Sequence, residues 1–408
     1  MEIKLAFSKS HLMVTVPPPV KVDVYQPSIT ENPVTLDKFR VAFLNSGADR
    51  FMEDTALLIV VNDGYRHTPT AQMLEWLEAC RKGVIEKSTF LIATGTHQPP
   101  SPQHLEQIFG PFYERIRKRL HWHDINDEKS LCKLNEDPLG GEVYVNRLLF
   151  ETSKVLIIGS VEPHYFAGFT GGCKSVIPGL ADLATIERNH NLANSLQAAP
   201  LKIEGNPVAE HLWSLLDFFD RKKFFTLQLV VDSQHRIAGV FFGHLREAFD
   251  KARRLAEELY APNAPHQYDI VLGELLPPLD KNLYQAQKAV ENCQAAVADG
   301  GQAVVIAACD EGVGSDYFYR QADNWDRRQN RPRDGQIRFG SHKLSRIIEI
   351  SKRIEVGIYS HLPEETVRRV FYEPVKDINK LITDKINMQK SCRVAVVHDA
   401  GHTVLKIK

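Results

Sequence analysis

Short apolar runs alternate with amphipathic stretches through the first two hundred residues, and the order repeats. TALLIVVND (55–63) is the kind of brief apolar run that forms a buried strand. Thr68-Pro69 then offers an N-cap and an N1 proline to a helix through AQMLEWLEACRKG. STFLIATGTH (88–97) with SPQHLEQIFGPFYERIRKRL (101–120), and SKVLIIGSVEPH (153–164) with LADLATIERNHNLANSL (180–196), repeat strand, loop and helix. Three such units predict a mostly parallel, doubly wound, Rossmann-like α/β sheet. FTLQLVVDSQHRIAGVFFG (225–243) predicts a hairpin and HLREAFDKARRLAEELY (244–260) a long helix. APNAPHQ (261–267) breaks the pattern, after which YDIVLGE, YQAQKAVENCQAAVADG and AVVIAACD open a second α/β unit. SRIIEISKRIEVGIYS and SCRVAVVHDA extend that unit, and proline-rich 16–33 reads as an extended entry segment. The expected organisation is two α/β domains, residues 1–262 and 263–408.

That pattern gives the polar residues their meaning. Asp63 and Arg66 follow the first strand, His97 the second and His164 the third. Each would emerge at the carboxyl edge of a parallel strand, where open α/β sheets bind ligands. Asp63 could bond a ribose hydroxyl, and Arg66 could clamp a carboxylate bidentately. The bland alternative for the two is a turn aspartate and a surface arginine. In GFTGGCKS (168–175) the backbone N–H groups of Thr170, Gly171 and Gly172 could form an anion nest ahead of Lys174. The segment misses the Walker A pattern because Cys173 stands where the second glycine belongs, and Pro178-Gly179 would interrupt the phosphate-binding helix. His190 has no partner at i+3 or i+4, so as a metal ligand it would need donors from elsewhere. Gln285 and Lys288 are three apart and share a helical face beside Tyr284. HWH (121–123) lacks a third ligand, while DEGVGSDYF (310–318) and GSHKL (340–344) are polar loops able to line a cleft between the domains.

Composition narrows the class of partner. A chain of 408 residues with a formal charge of −1 offers no broad attraction for nucleic acid or anionic lipid, which leaves small molecules. No stretch has the length of a membrane span and no signal-like apolar region follows the N-terminus, so a cytoplasmic location is expected. Six cysteines without a C-x-x-C pair read as reduced thiols.

PHYFAGFTGGCKSVIPG…TIERNH, with NDGYRHTP, ATGTH and YQAQK in that order along the chain, resembles the lactate racemase family, which uses a nickel-pincer nucleotide. The resemblance covers most of the chain. It implies that Lys174 tethers a pyridinium-derived mononucleotide through a thioamide, that His190 is the protein's nickel ligand, and that His97 and His164 are the paired acid/base residues. It further implies that Arg66, Tyr284, Gln285 and Lys288 hold a 2-hydroxy acid, while Asp63, Thr170, Gly171 and Gly172 hold the nucleotide. The N-terminal domain would then carry cofactor and catalysis, the C-terminal domain substrate contacts, with the site in the cleft between them. The family's reaction is inversion at C2, with the α-hydrogen leaving as hydride and a 2-keto acid held between the two enantiomers. Cofactor-maturation proteins are implied as partners. Thr170 replaces a commoner serine and Cys173 a frequent arginine, which removes a charge beside the tether. Two other classes remain open: a P-loop-like nucleotide hydrolase, and a non-catalytic protein that binds a hydroxy acid or nucleotide on the same fold.

Overall fold

The computed structural model describes residues 1–18, 20–53, 56–66, 68–336, 338, 340–388 and 392–407. The predicted strand at 55–63 is described from Leu58 to Asn62, its first residue lying outside the described set. It is central in a six-stranded sheet ordered Ile237–Gly243, Phe224–Val231, Val155–Ser160, Leu58–Asn62, Thr89–Ala93, Leu120–Trp122. Only the Ile237–Gly243 edge runs antiparallel, as the predicted hairpin requires. Alternation separates the two faces of this sheet: Ile59 and Val61 join Phe90, Ile92, Leu156 and Ile158 in one core, and Leu58 and Val60 join Leu91, Val155 and Ile157 in another. Both faces are covered, which is why these strands read as continuous apolar runs.

The chain leaves Leu58–Asn62 to form Thr89–Ala93 on one side and later returns to form Val155–Ser160 on the other. Consecutive crossovers thus diverge at the carboxyl end of the central strand and open a crevice there.

A second six-stranded sheet is wholly parallel, ordered Glu373–Pro374, Glu355–Tyr359, Val297–Ile306, Tyr268–Glu274, Arg393–Val397, Lys21–Tyr25. Its last strand comes from the N-terminus, inside the segment expected to be a mere entry. The hairpin Glu2–Phe7 with Ser10–Thr15 adds Ile3, Leu5 and Val14 to the core beneath this sheet. The strands Glu2–Phe7, Ser10–Thr15 and Lys21–Tyr25, grouped with the first unit on sequence grounds, therefore lie against the second. Among the described residues no helix is long and apolar enough to cross a membrane.

Three local expectations change for physical reasons. The helix expected over 101–120 is split after Pro102–Phe109, because Gly110 takes a φ of 51° and Pro111 has no N–H to continue the ladder. The helix expected over 180–196 spans Leu183–Asn191, started by Asp182, whose carboxylate accepts from the Thr185 N–H. Thr68 does not cap the helix Thr70–Cys80; its hydroxyl donates to Ser160 Oγ at 2.9 Å, tying this loop to the end of the strand Val155–Ser160.

Candidate active site

The crevice at the carboxyl edge of the first sheet is closed over by two helices of the second unit, Leu283–Cys293 and Ser341–Ser351, to leave a cavity of about 560 Å³. Every sequence-predicted site residue except Gly172 lines it. Three strand-end loops, the 168–175 turn and the helix Leu183–Asn191 supply one wall, and Tyr284, Gln285 and Lys288 the facing one.

Asp63 and His97 stand on adjacent loops because their strands are neighbours in the sheet. His97 Nδ1 lies 2.5 Å from Asp63 Oδ2, and the other carboxylate oxygen accepts from the Tyr65 N–H at 3.2 Å. The carboxylate fixes the proton on Nδ1 and leaves the lone pair on Nε2, the arrangement of an oriented base. Asp63 thus has a contact with His97 that the sequence did not suggest. An Asp63→Asn variant is expected to lose about 10²–10⁴-fold in turnover with little change in KM. Steady-state inversion kinetics check this.

His164 is set the opposite way. Its Nδ1 accepts the Ala167 N–H at 3.2 Å, so in the neutral ring Nε2 carries the hydrogen. Burial, with Lys174 and Arg66 nearby, holds its pKa well below the usual histidine value and keeps it neutral. The two histidines therefore present complementary groups, an acceptor on His97 and a donor on His164.

Lys174 sits on a single 3₁₀ turn, Gly172–Ser175, over the ring of Phe166. Burial and the Arg66 guanidinium push its pKa down to about 7, so near neutrality a large share is free amine, the nucleophilic form. A four-residue turn gives a phosphate no run of helical N–H groups, which disfavours a P-loop. Two of the three N–H groups expected to form an anion nest are engaged within the protein. Thr170 N donates to Glu162 O and Gly172 N to Gln228 Oε1, both inside the protein. A Cβ on Gly172 would lie 2.7 Å from the Phe249 ring and one on Gly171 2.6 Å from Gln228 Oε1, so these glycines serve close packing. Cys173 is buried, its pKa pushed up to about 12 by desolvation, and it packs as a small apolar residue.

His190 Nδ1 lies 2.9 Å from the Ile186 carbonyl, one helical turn back. Donating there puts the lone pair on Nε2, as in a ligating histidine oriented by its other nitrogen. Burial and Lys174 push its pKa down to about 3, which keeps it neutral and competent to bind a metal.

Three wall or support residues do not stand out in the sequence. Glu162 Oε1 accepts from Arg66 Nη1 at 3.1 Å and so orients the guanidinium. His342 and Lys343 come from GSHKL, which is the start of a helix and not a loop. The legible signal is Lys343 sharing a face with Ile347 and Ile350 at i+4 and i+7, a lysine on a buried stripe.

Residues 7–200 match the family model of the lactate racemase N-terminal domain, and residues 266–337 match that of the lactate racemase C-terminal domain. The chain belongs to the lactate racemase family. A lactate racemase of Thermoanaerobacterium thermosaccharolyticum is 28% identical over 370 residues, covering 86% of this chain and 85% of that one. A lactate racemase of Lactiplantibacillus plantarum is 30% identical over 231 residues, 56% of this chain and 54% of its own. The structure of the lactate racemase apoprotein from Thermoanaerobacterium thermosaccharolyticum superposes with a TM-score of 0.86 over the whole of both chains, at 25% identity. A Thermotoga maritima protein at 17% identity shares the fold, with a TM-score of 0.70 over 93% of this chain and all of that one. Membership of the lactate racemase family makes the cavity the place to ask whether a lysine-tethered nickel nucleotide fits. The donor set agrees with one: a half-neutral lysine, a neutral imidazole with Nε2 as its donor, and a volume within the ~300–1,000 Å³ typical of small-molecule sites. Among the described residues no three His, Cys, Asp or Glu side chains converge on one point, so a metal beside His190 would draw its other donors from a bound group.

Proposed function

We propose that this protein inverts C2 of a 2-hydroxy acid, using a nickel-pincer nucleotide tethered to Lys174. The observation that carries the proposal is Lys174 itself, a lysine whose pKa is pushed down to about 7 in the same cavity as an Asp63-oriented base and a neutral His190. Lys174 would hold the nucleotide and His190 its nickel; when bound, the group supplies a hydride acceptor for the C2 hydrogen.

The chain's own residues do the rest. Arg66, oriented by Glu162, and Lys288 hold the substrate carboxylate, with Gln285 and Tyr284 beside them on the same helix as Lys288. Burial and Arg66 hold the Lys288 pKa down at about 8, so a bound carboxylate would favour its charged form. His97 Nε2 takes the hydroxyl proton, and Asp63 stabilises the imidazolium that results. His164 presents its N–H to the substrate oxygen from the other setting. The enclosing helices keep water from the keto acid while it turns.

The test is inversion of a C2-deuterated 2-hydroxy acid in ordinary water by cofactor-loaded protein. Inversion with deuterium kept in the product supports hydride transfer. Inversion with deuterium lost to solvent, or no inversion of any 2-hydroxy acid once loading is verified, would reject it.

A further inference from the structure

The cavity holds more basic side chains than a short hydroxy acid can answer. Arg66 is paired with Glu162, and Lys174 gives up its charge when its nitrogen becomes an amide-type nitrogen. Lys288 and Lys343 remain, and among the described residues neither has a carboxylate within ion-pair distance. One substrate carboxylate answers Lys288. Lys343 is then left on the opposite helix, 2% exposed, its Nζ donating to the Tyr284 carbonyl at 2.8 Å and lying 4.1 Å from the Tyr284 ring centroid and 4.8 Å from that of Tyr165. Two aromatic faces and one carbonyl stabilise an ammonium but do not neutralise it. Burial and Lys288 accordingly hold its pKa down at about 7.

Next to it, His342 is 1% exposed and also lines the cavity. Its Nε2 is 3.4 Å from the Tyr165 hydroxyl, while Nδ1 has no hydrogen-bond partner although it is buried. A buried polar atom left without a partner is costly, and in a native structure it calls for an explanation such as a group bound nearby. Two adjacent residues of one helix thus bring to the same wall an amine with no ion-pair partner and a ring that has one nitrogen without a hydrogen-bond partner. They stand beside Tyr284, on the helix that carries Gln285 and Lys288, and beside Tyr165, the neighbour of His164.

We infer that Lys343 and His342 form a second anion subsite, which receives a carboxylate on the side chain of the substrate. The inference rests on the hydroxy acid reading of the cavity and narrows it: the substrate class is a dicarboxylic 2-hydroxy acid, bound at one end by Arg66 and Lys288 and at the other by Lys343 and His342. A substrate with only a methyl group there would leave Lys343 and His342 Nδ1 unanswered. The anion of the same chemistry that competes for this place is the phosphate of the nucleotide.

Calorimetric titration of unloaded protein with malate and with lactate reads the subsite without turnover, and the loaded protein is then assayed for inversion of both acids. Malate is expected to bind at least about tenfold more tightly than lactate. The malate-to-lactate ratio should fall to about one, in affinity and in kcat/KM, in Lys343→Met and in the more polar Lys343→Gln. The mass adduct on Lys174 should be formed by both variants as fully as by the parent. Equal affinity of the parent for the two acids, or a preference for malate that survives both substitutions, would overturn the inference. So would loss of the adduct in both variants, which would assign Lys343 to the nucleotide phosphate. A malate preference that vanishes in the variants, with no inversion of either acid by verified loaded protein, would keep the subsite and reject the racemase reading instead.

Discussion

Replacing Arg346 by methionine is expected to destabilise the protein by about 3–5 kcal/mol, the usual consequence of removing one partner from a buried ion pair. Arg346 belongs to the helix Ser341–Ser351 and is nearly inaccessible, as is Glu291 opposite. Its Nε and Nη2 donate to the two carboxylate oxygens of Glu291 at 2.6 and 2.7 Å, while Nη1 donates across to the first unit, to Ala193 O at 2.9 Å and Ser195 O at 3.1 Å. Methionine fills much of the space but leaves two carbonyls without this donor and a buried carboxylate with only the Gln287 and Gln294 amides to bond it and no opposite charge. The doubly substituted Arg346→Met, Glu291→Gln protein should recover part of the loss, since no uncompensated charge remains. Urea unfolding of the parent and both variants gives the measurement. An Arg346→Met midpoint equal to the parent's would show that the pair contributes nothing net.

The second large effect separates the two histidines. His97→Asn removes an Nε2 acceptor that an amide nitrogen cannot replace and should lower kcat by about 10²–10⁴-fold, the range of a lost general base. His164→Asn keeps a donor group on a shorter side chain, so its loss should be the smaller of the two. The expectation follows from the hydrogen bonds each Nδ1 makes, to Asp63 Oδ2 in one case and from the Ala167 N–H in the other. Initial rates in both directions with each variant test it, and equal losses would contradict the assignment of distinct tautomers.

Features that depend only on neighbouring residues along the chain are legible in the sequence. The apolar runs ending at Asn62, Ala93 and Ser160 mark strands because a sheet covered on both faces excludes polar residues from its interior, and their ends place Asp63, His97 and His164 at one edge. The pairing of Asp63 with His97 is not legible, since it depends on which strands are neighbours and that is decided by the crossovers. The strand Lys21–Tyr25 is hidden for a similar reason: its partner is Arg393–Val397, at the far end of the chain. Gly172, which packs against Phe249 and does not line the cavity, reads as part of the site because a glycine-rich loop with free N–H groups and one that packs tightly have the same composition. Lys343 does not stand out because a buried cation runs against the rule that lysines lie outside, and the cavity that accommodates it is made by two distant helices.

The central claim is that Lys174 is a covalent attachment point. The direct test is the intact denatured mass of protein produced with nickel and the cofactor-synthesis machinery, with peptide mapping around residue 174. A nucleotide-sized mass increase that maps to Lys174 and is absent from Lys174→Ala is the predicted result. An unmodified Lys174, with a known lactate racemase loaded in parallel by the same machinery, would contradict the account.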